Sequence, residues 1–155
     1  METGRKQGRY LRVLAQLHEL TLKTNDPVCR IATINAVLHH KMDHFFWTGV
    51  YRLQEGELRV GPYQGPVACQ VLEKNKGVCW SAINSAKTIV VPDVEKFPGH
   101  IACDSRSKSE IAVPIINLKG SIVGVLDIDS KEPENFDEID ALFLEKIVAL
   151  IYTWE

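Results

Sequence analysis

The sequence lacks any apolar run of about 18 residues, so no membrane span is expected. It also lacks an excess of either charge. Lys and Arg number 18 against 20 Asp and Glu, a net charge of −2, and the basic face that a nucleic-acid partner calls for is missing. Residues 1–9 contain neither an apolar core nor a cleavage pattern and read as a poorly ordered tail rather than a signal peptide. A cytoplasmic protein is the expectation. No C-x-x-C occurs, and His39-His40 has no partners at ligand spacing, so no metal site is expected. Repeats and low-complexity segments are absent as well. A chain of 155 residues, 45% apolar, fits a single domain with a real core and no need of covalent staples. Its four cysteines therefore read as thiols rather than as a structural disulfide framework.

One cysteine stands out. Phe97-Pro98-Gly99-His100-Ile101-Ala102-Cys103-Asp104 is broken by Pro98 and Gly99, and the polar run Ser105-Arg106-Ser107-Lys108-Ser109 after it reads as surface. Cys103 is thus expected within reach of solvent, with His100, Asp104, Arg106 and Lys108 as neighbours. Such surroundings can favour the nucleophilic thiolate.

Apolar spacings of three and four predict a helix over residues 10–23 and a second over 27–41, capped at Asn25-Asp26-Pro27. Cys29 lies in the second helix and is expected to be a small buried hydrophobe. Residues 45–53 read as a strand and 54–57 as a hairpin turn. The return strand opens at 58–60, is broken over 61–66 by its prolines, and resumes over 67–72, placing Cys69 at the end of a broken strand. A helix over 78–86 puts Cys79 in its first turn, where the partial positive charge lowers a thiol's pKa. A short strand at 88–91 leads into a long loop, 93–108, of the kind that is more often functional than incidental. Strands at 109–117 and 121–129 form a hairpin, and a helix from 136 to Trp154 closes the chain. The order predicts an α+β fold: an antiparallel sheet with helices mainly on one face.

Cys69, Cys79 and Cys103 are either three independent buried thiols or a redox set. In the second case one thiol attacks an oxidised substrate, and a neighbour condenses with the resulting sulfenic acid to a disulfide. Asp127 and Asp129 alternate with Leu126 and Ile128, so both carboxylates point to one face. With Glu110 they are either a strand end emerging into solvent or a small acidic pocket for an ammonium group or a sulfoxide oxygen. Trp47 and Tyr51 share a strand face, as core packing or as an aromatic wall.

Gly61-Pro62-Tyr63-Gln64-Gly65-Pro66-Val67-Ala68-Cys69, Gly77-Val78-Cys79, Val91-Pro92-Asp93-Val94, the Cys103 stretch, Ser109-Glu110-Ile111 and Gly124-Val125-Leu126-Asp127-Ile128-Asp129-Ser130 occur in this order. The sequence resembles the free methionine-(R)-sulfoxide reductases, stand-alone GAF-domain enzymes, over about residues 10–150. The resemblance implies a GAF sheet of about six antiparallel strands in one domain. It implies that Cys103 becomes the sulfenic acid, that Cys69 resolves it, and that Cys79 is a third cysteine, an alternative resolver or relay. It further implies that Glu110, Asp127 and Asp129 bind the substrate and polarise the sulfoxide, that Trp47 packs on its methyl group, and that Tyr51 lines the pocket. Asp93 is a further candidate. The implied substrate is the free amino acid, with no bound cofactor, no metal and thioredoxin as reductant. Two departures stand out: Trp80 where the family usually has Gly, and Glu95 where His is common. A GAF module that only senses ligands is the alternative, and the terminal helices, with Tyr152 and Trp154, are a candidate homodimer surface.

Overall fold

In the computed structural model, which describes residues 2–100 and 103–153, the chain runs α1 (Thr3–Thr21), α2 (Pro27–Lys41), β1 (Trp47–Gln54), β2 (Glu57–Gln64), β3 (Val71–Leu72), α3 (Gly77–Ser85) and β4 (Ile89–Val91). Next come a 3-10 turn (Val94–Lys96), β5 (Ser109–Ile116), β6 (Ile122–Ser130) and α4 (Glu138–Val148). Ile101 and Ala102 of the cysteine loop, and Trp154 of the expected closing helix, lie outside the described residues. Among the described residues no helix is long and apolar enough to cross a membrane.

The strands form one six-stranded sheet in the order β3-β2-β1-β6-β5-β4, every neighbouring pair antiparallel. Period-two alternation divides it into two faces. Val50, Ile111, Val113, Leu126 and Ile128 pack under α1, α2 and α4 with Leu17, Leu38 and Leu144. Tyr51, Ala112 and Val125 look the other way, toward α3 and its Val78 and Trp80. The expected fold, helices mainly on one face, is the observed one.

Local signals explain most of the element ends. Asp26 accepts a hydrogen bond from the Val28 amide at 2.9 Å, and Pro27 occupies the first helical turn of α2. Asp137 and Asp140 form a reciprocal capping box at α4. Glu55 and Gly56, with φ of 53° and 76°, make the tight β1–β2 turn.

Several expectations need correction. Pro62 does not break β2. β3 pairs only with Leu58 and Arg59, so at Pro62 the outer edge of β2 has no paired strand, the Pro62 carbonyl accepts from the Asn35 side chain at 2.7 Å, and a missing amide costs no ladder bond. A bulge there sets two steps of β1, Gly49 to Tyr51, against three of β2, Tyr63 to Val60. β3 is only two residues, so Cys69 lies in the loop ahead of it. α1 begins at Thr3 rather than near residue 10, because Lys6 is buried and its Nζ donates to Asp140 Oδ2 at 2.7 Å. α4 ends at Val148, short of the predicted helix. Cys29 is exposed, since the buried stripe of α2 runs through Ile31, Ile34 and Leu38 on another side of the helix. In the polar run after Cys103, Ser107 and Ser109 are buried.

Candidate functional site

The register of three strands assembles the site. Trp47 pairs with Asp129, and Asp129 with Glu110, so one row across β1, β6 and β5 carries an indole and two carboxylates on one face. In the next row Asp127 stands between Gly49 and Ala112. The small residues on either side leave the Asp127 carboxylate unobstructed by its strand neighbours. α3 covers this face and brings Cys79 to Asp127. The result is a small cavity lined by Trp47, Tyr51, Cys79, Glu110, Asp127 and Asp129, together with Phe46, His100 and Cys103.

The aromatic wall is a stack. The rings of Trp47 and Tyr51 lie 5.7 Å apart at 24°, and those of Trp47 and Tyr63 lie 5.3 Å apart at 23°. The Trp47 N–H donates to the Pro66 carbonyl at 3.0 Å, fixing the indole. Gly49 lies beneath it, and a Cβ there would overlap both the indole and the Tyr63 Cβ. Gly49→Ala is therefore expected to displace Trp47, to cost about 1–3 kcal/mol through overpacking, and to raise KM for any ligand held by that wall. Thermal melting and substrate titration of the variant check this; an unchanged KM would separate the wall from binding.

A disulfide joins Cys69 and Cys103, with Cα atoms 5.6 Å apart. It closes the cavity from the two loops before β3 and before β5. The Tyr51 hydroxyl donates to the Cys69 carbonyl at 3.3 Å, tying the aromatic wall to the disulfide loop. Cys103 is on the exposed side, as its polar neighbourhood predicts. Arg106 and Lys108 are turned to other work. Arg106 forks onto Asp104 at 3.0 and 2.7 Å, holding the Asp104 pKa at about 2, and Lys108 approaches Glu95 at 4.0 Å.

Electrostatics inside the cavity are those of buried acids without a buried cation. Burial pushes the Glu110 pKa well above the usual carboxylate range, and the Asp127 and Asp129 charges push it further. Asp129 is raised for the same reasons, burial first and then Asp127. Burial also raises Asp127, while hydrogen bonds with Glu110 and Cys79 work the other way. Burial and mutual repulsion thus favour the protonated form within this trio, most of all at Glu110, and a protonated carboxyl can donate. Cys79 contradicts the helix-terminus expectation. Burial, then the charges of Asp127, Glu110 and Asp129, drive its pKa up, so it rests as a thiol. Cys79, Glu110 and Asp127 have ligand atoms within 4.8 Å of one another, the one group among the described residues close enough to share a cation.

Every predicted site residue except Cys69 and Asp93 lines the cavity. Cys69 stands at its edge, bonded to Cys103. Asp93 caps the 3-10 turn by accepting from the Glu95 amide at 3.0 Å. Two polar lining residues close to the acids escaped assignment from sequence. His100 carried a signal, a histidine three residues before Cys103, but no partner in sequence. Ser107 carried none, sitting in a polar run that reads as solvated.

The GAF-domain family matches residues 30–152. A GAF domain-containing protein of Dictyostelium discoideum is 45% identical over 149 residues, covering 96% of this chain and 93% of that protein. A free methionine-R-sulfoxide reductase of Saccharomyces cerevisiae is 45% identical over 131 residues, covering 80% of this chain and 73% of that protein. Among solved structures, the free methionine-R-sulfoxide reductase of Neisseria meningitidis in complex with its substrate superposes with a TM-score of 0.89 at 39% identity, covering 94% of this chain and 87% of that one. Fold, cavity and these relatives agree, and the chain belongs to the GAF-domain family and, within it, to the free methionine-(R)-sulfoxide reductases.

Proposed function

We propose that this protein reduces free L-methionine-(R)-sulfoxide to methionine. The observation that carries the reading is the Cys69–Cys103 disulfide set over a cavity with an aromatic wall on one side and three carboxyls on the other, Glu110 and Asp127 buried and Asp129 half-buried. In the first step the Cys103 thiolate takes the sulfoxide oxygen and a proton, giving a sulfenic acid and the thioether. In the second, the Cys69 thiol displaces that oxygen as water and forms the disulfide. Two electrons reach the substrate, and an external dithiol returns them by exchange. Thioredoxin is the proposed donor, and exposure of Cys103 beside the disulfide supports access by a protein reductant.

The carboxyl cluster supports the remaining roles. Glu110, held protonated, donates to the sulfoxide oxygen, which makes the substrate sulfur electrophilic. Asp127 and Asp129 receive the substrate's ammonium group, which supplies the buried positive charge the cavity itself lacks. Trp47 packs on the S-methyl group, with Tyr51 behind it. A cavity this enclosed admits the free amino acid rather than a residue within a peptide. A thiol cycle of this kind suits a reducing, cytoplasmic setting, and a homodimer through the terminal helices belongs to the same reading.

The test supplies the two sulfoxide epimers separately in a thioredoxin-coupled assay. Consumption of the R epimer of the free amino acid, with the S epimer and a peptide-bound sulfoxide left intact, is the expected result. Turnover of neither epimer would reduce the protein to a ligand-binding GAF module.

A further inference from the structure

Oxygen transfer to Cys103 leaves one proton to be returned, and the role assigned below to His100 rests on that step of the reductase reading. Cys103–S⁻, the sulfoxide and a proton become Cys103–SOH and the thioether, with two electrons passing from the cysteine sulfur to the sulfoxide sulfur. Once Glu110 has supplied that proton, it is a carboxylate buried beside Asp127 and Asp129. It must be reprotonated before the next cycle, and it is 6% exposed.

The titratable groups around it are few. Asp127 and Asp129 on β6 face the substrate's ammonium group as carboxylates in this reading and have no proton to give. Cys79 on α3 is a buried thiol, and the Tyr51 hydroxyl donates to the Cys69 carbonyl. Lys76, just before α3, is half exposed and paired with Glu73 at 2.8 Å. Asp104 is held by Arg106.

His100 is different. Its Nδ1 lies 3.9 Å from Glu110 Oε1, and its side chain is 12% exposed, against 8% for that of Glu110. Neither ring nitrogen has a hydrogen-bond partner among the described residues, although both are buried. A histidine with two unsatisfied nitrogens at the wall of a reaction cavity is a costly arrangement unless those nitrogens are used. A small rotation of either side chain, or one bridging water, brings Nδ1 into hydrogen bonding with Glu110.

We infer that His100 is a positioning residue that returns the proton to Glu110 after each oxygen transfer, giving it from Nδ1 and taking its replacement from solvent when the ring turns a nitrogen toward the 12% of the side chain that is exposed. The imidazole suits the task because it donates at one nitrogen and accepts at the other. Burial also lowers the His100 pKa while it raises that of Glu110, and both shifts favour passing the proton from the imidazole to the carboxylate.

The test is His100→Gln, which keeps a hydrogen-bonding side chain but cannot relay. Reduced enzyme is mixed with the R epimer, and the first methionine released per chain is timed by rapid quench. Steady-state turnover is then measured at a dithiothreitol concentration beyond which the wild-type rate no longer rises. The first turnover, starting from an equilibrated and protonated Glu110, is expected to proceed within about twofold of wild type. Later turnovers slow by about tenfold or more, KM stays put, and added imidazole restores the rate in proportion to its concentration. Later turnovers at the wild-type rate would overturn the inference. So would a first turnover slowed as much as the later ones, or a loss that imidazole does not repair, since either marks a structural role. Failure of wild-type enzyme to release methionine at all would instead overturn the reductase reading itself.

Discussion

Cys103→Ser is expected to abolish reduction of the free R sulfoxide, lowering turnover by more than about 10³-fold. The hydroxyl that replaces the thiol is neither ionised near neutrality nor able to carry the oxygen as a sulfenic acid. The remaining thiols are poorly placed to step in: Cys69, freed of its partner, stands at the edge of the cavity and does not line it. Cys79 lines the same cavity but is buried among carboxyls that hold it protonated, and Cys29 is on the outer side of α2. Cys69→Ser gives a different failure. The first step survives, so reduced enzyme releases about one methionine per chain and then stalls with Cys103 as a sulfenic acid that a dimedone-type reagent traps. Cys79→Ser is expected to lower activity far less than either, and the Cys69–Cys103 peptide pair still forms after turnover. Mass spectrometry of digested, alkylated enzyme reads all three outcomes. A Cys79–Cys103 pair as the main product in wild type would remove Cys69 from the resolving role, and activity in Cys103→Ser would remove the whole scheme.

Much of this site is legible in the chain because it is written on strands. Residues 122–130 carry an alternation that puts Asp127 and Asp129 on one face and Leu126 and Ile128 on the other, and a strand cannot rearrange that without flipping every side chain. Trp47 and Tyr51 share a face for the same reason. The helix ends at Asp26-Pro27 and Asp137 are local chemistry and are equally readable. What pattern alone does not give is register. Only pairing places Trp47 opposite Asp129 and Asp129 opposite Glu110, and a separation of 34 residues conceals the meeting of Cys69 with Cys103. Resemblance to a family supplied that pairing where spacing left it open. Pro62 misled because its effect depends on whether a neighbouring strand needs its amide, a fact of sheet order. Ser107 and His100 misled because a polar loop reads as solvated until it is folded over a cavity.

The same limit conceals the residue on which the opposite face of the protein depends, and Asp140→Ala is expected to be the most destabilising single change. Asp140 is fully buried and accepts from Lys6 Nζ at 2.7 Å, His44 Nε2 at 3.0 Å, the Asp137 amide at 2.9 Å and the Tyr10 hydroxyl. These donors come from α1, the segment before β1 and the α4 cap, so one carboxylate fastens three parts of the helical layer. Removing it strands a buried phenol without an acceptor and leaves the buried Lys6 ammonium only its longer contact with Asp137 at 3.3 Å, at a cost of about 3–5 kcal/mol. For a chain of this size the expected fall in Tm is about 10 °C or more. The pH dependence identifies the cause. Burial alone would raise the Asp140 pKa, but the hydrogen bonds from His44, Lys6 and Tyr10 outweigh it and hold the value at about 2. An unfolded aspartate titrates near about 3.9, so the folded pKa is depressed, and the group contributes stability in full above that value. The contribution, roughly 2–3 kcal/mol from this displacement, is lost as pH falls from about 4 to about 2. Thermal melts of wild type and Asp140→Asn across that window are expected to converge toward the acid end. KM for the sulfoxide, set on the α3 side of the sheet, stays unchanged in Asp140→Asn at neutral pH. A variant that melts within about 2 °C of wild type at pH 7 would show that α1 is held by its apolar stripe of Tyr10, Val13 and Leu17 rather than by this network.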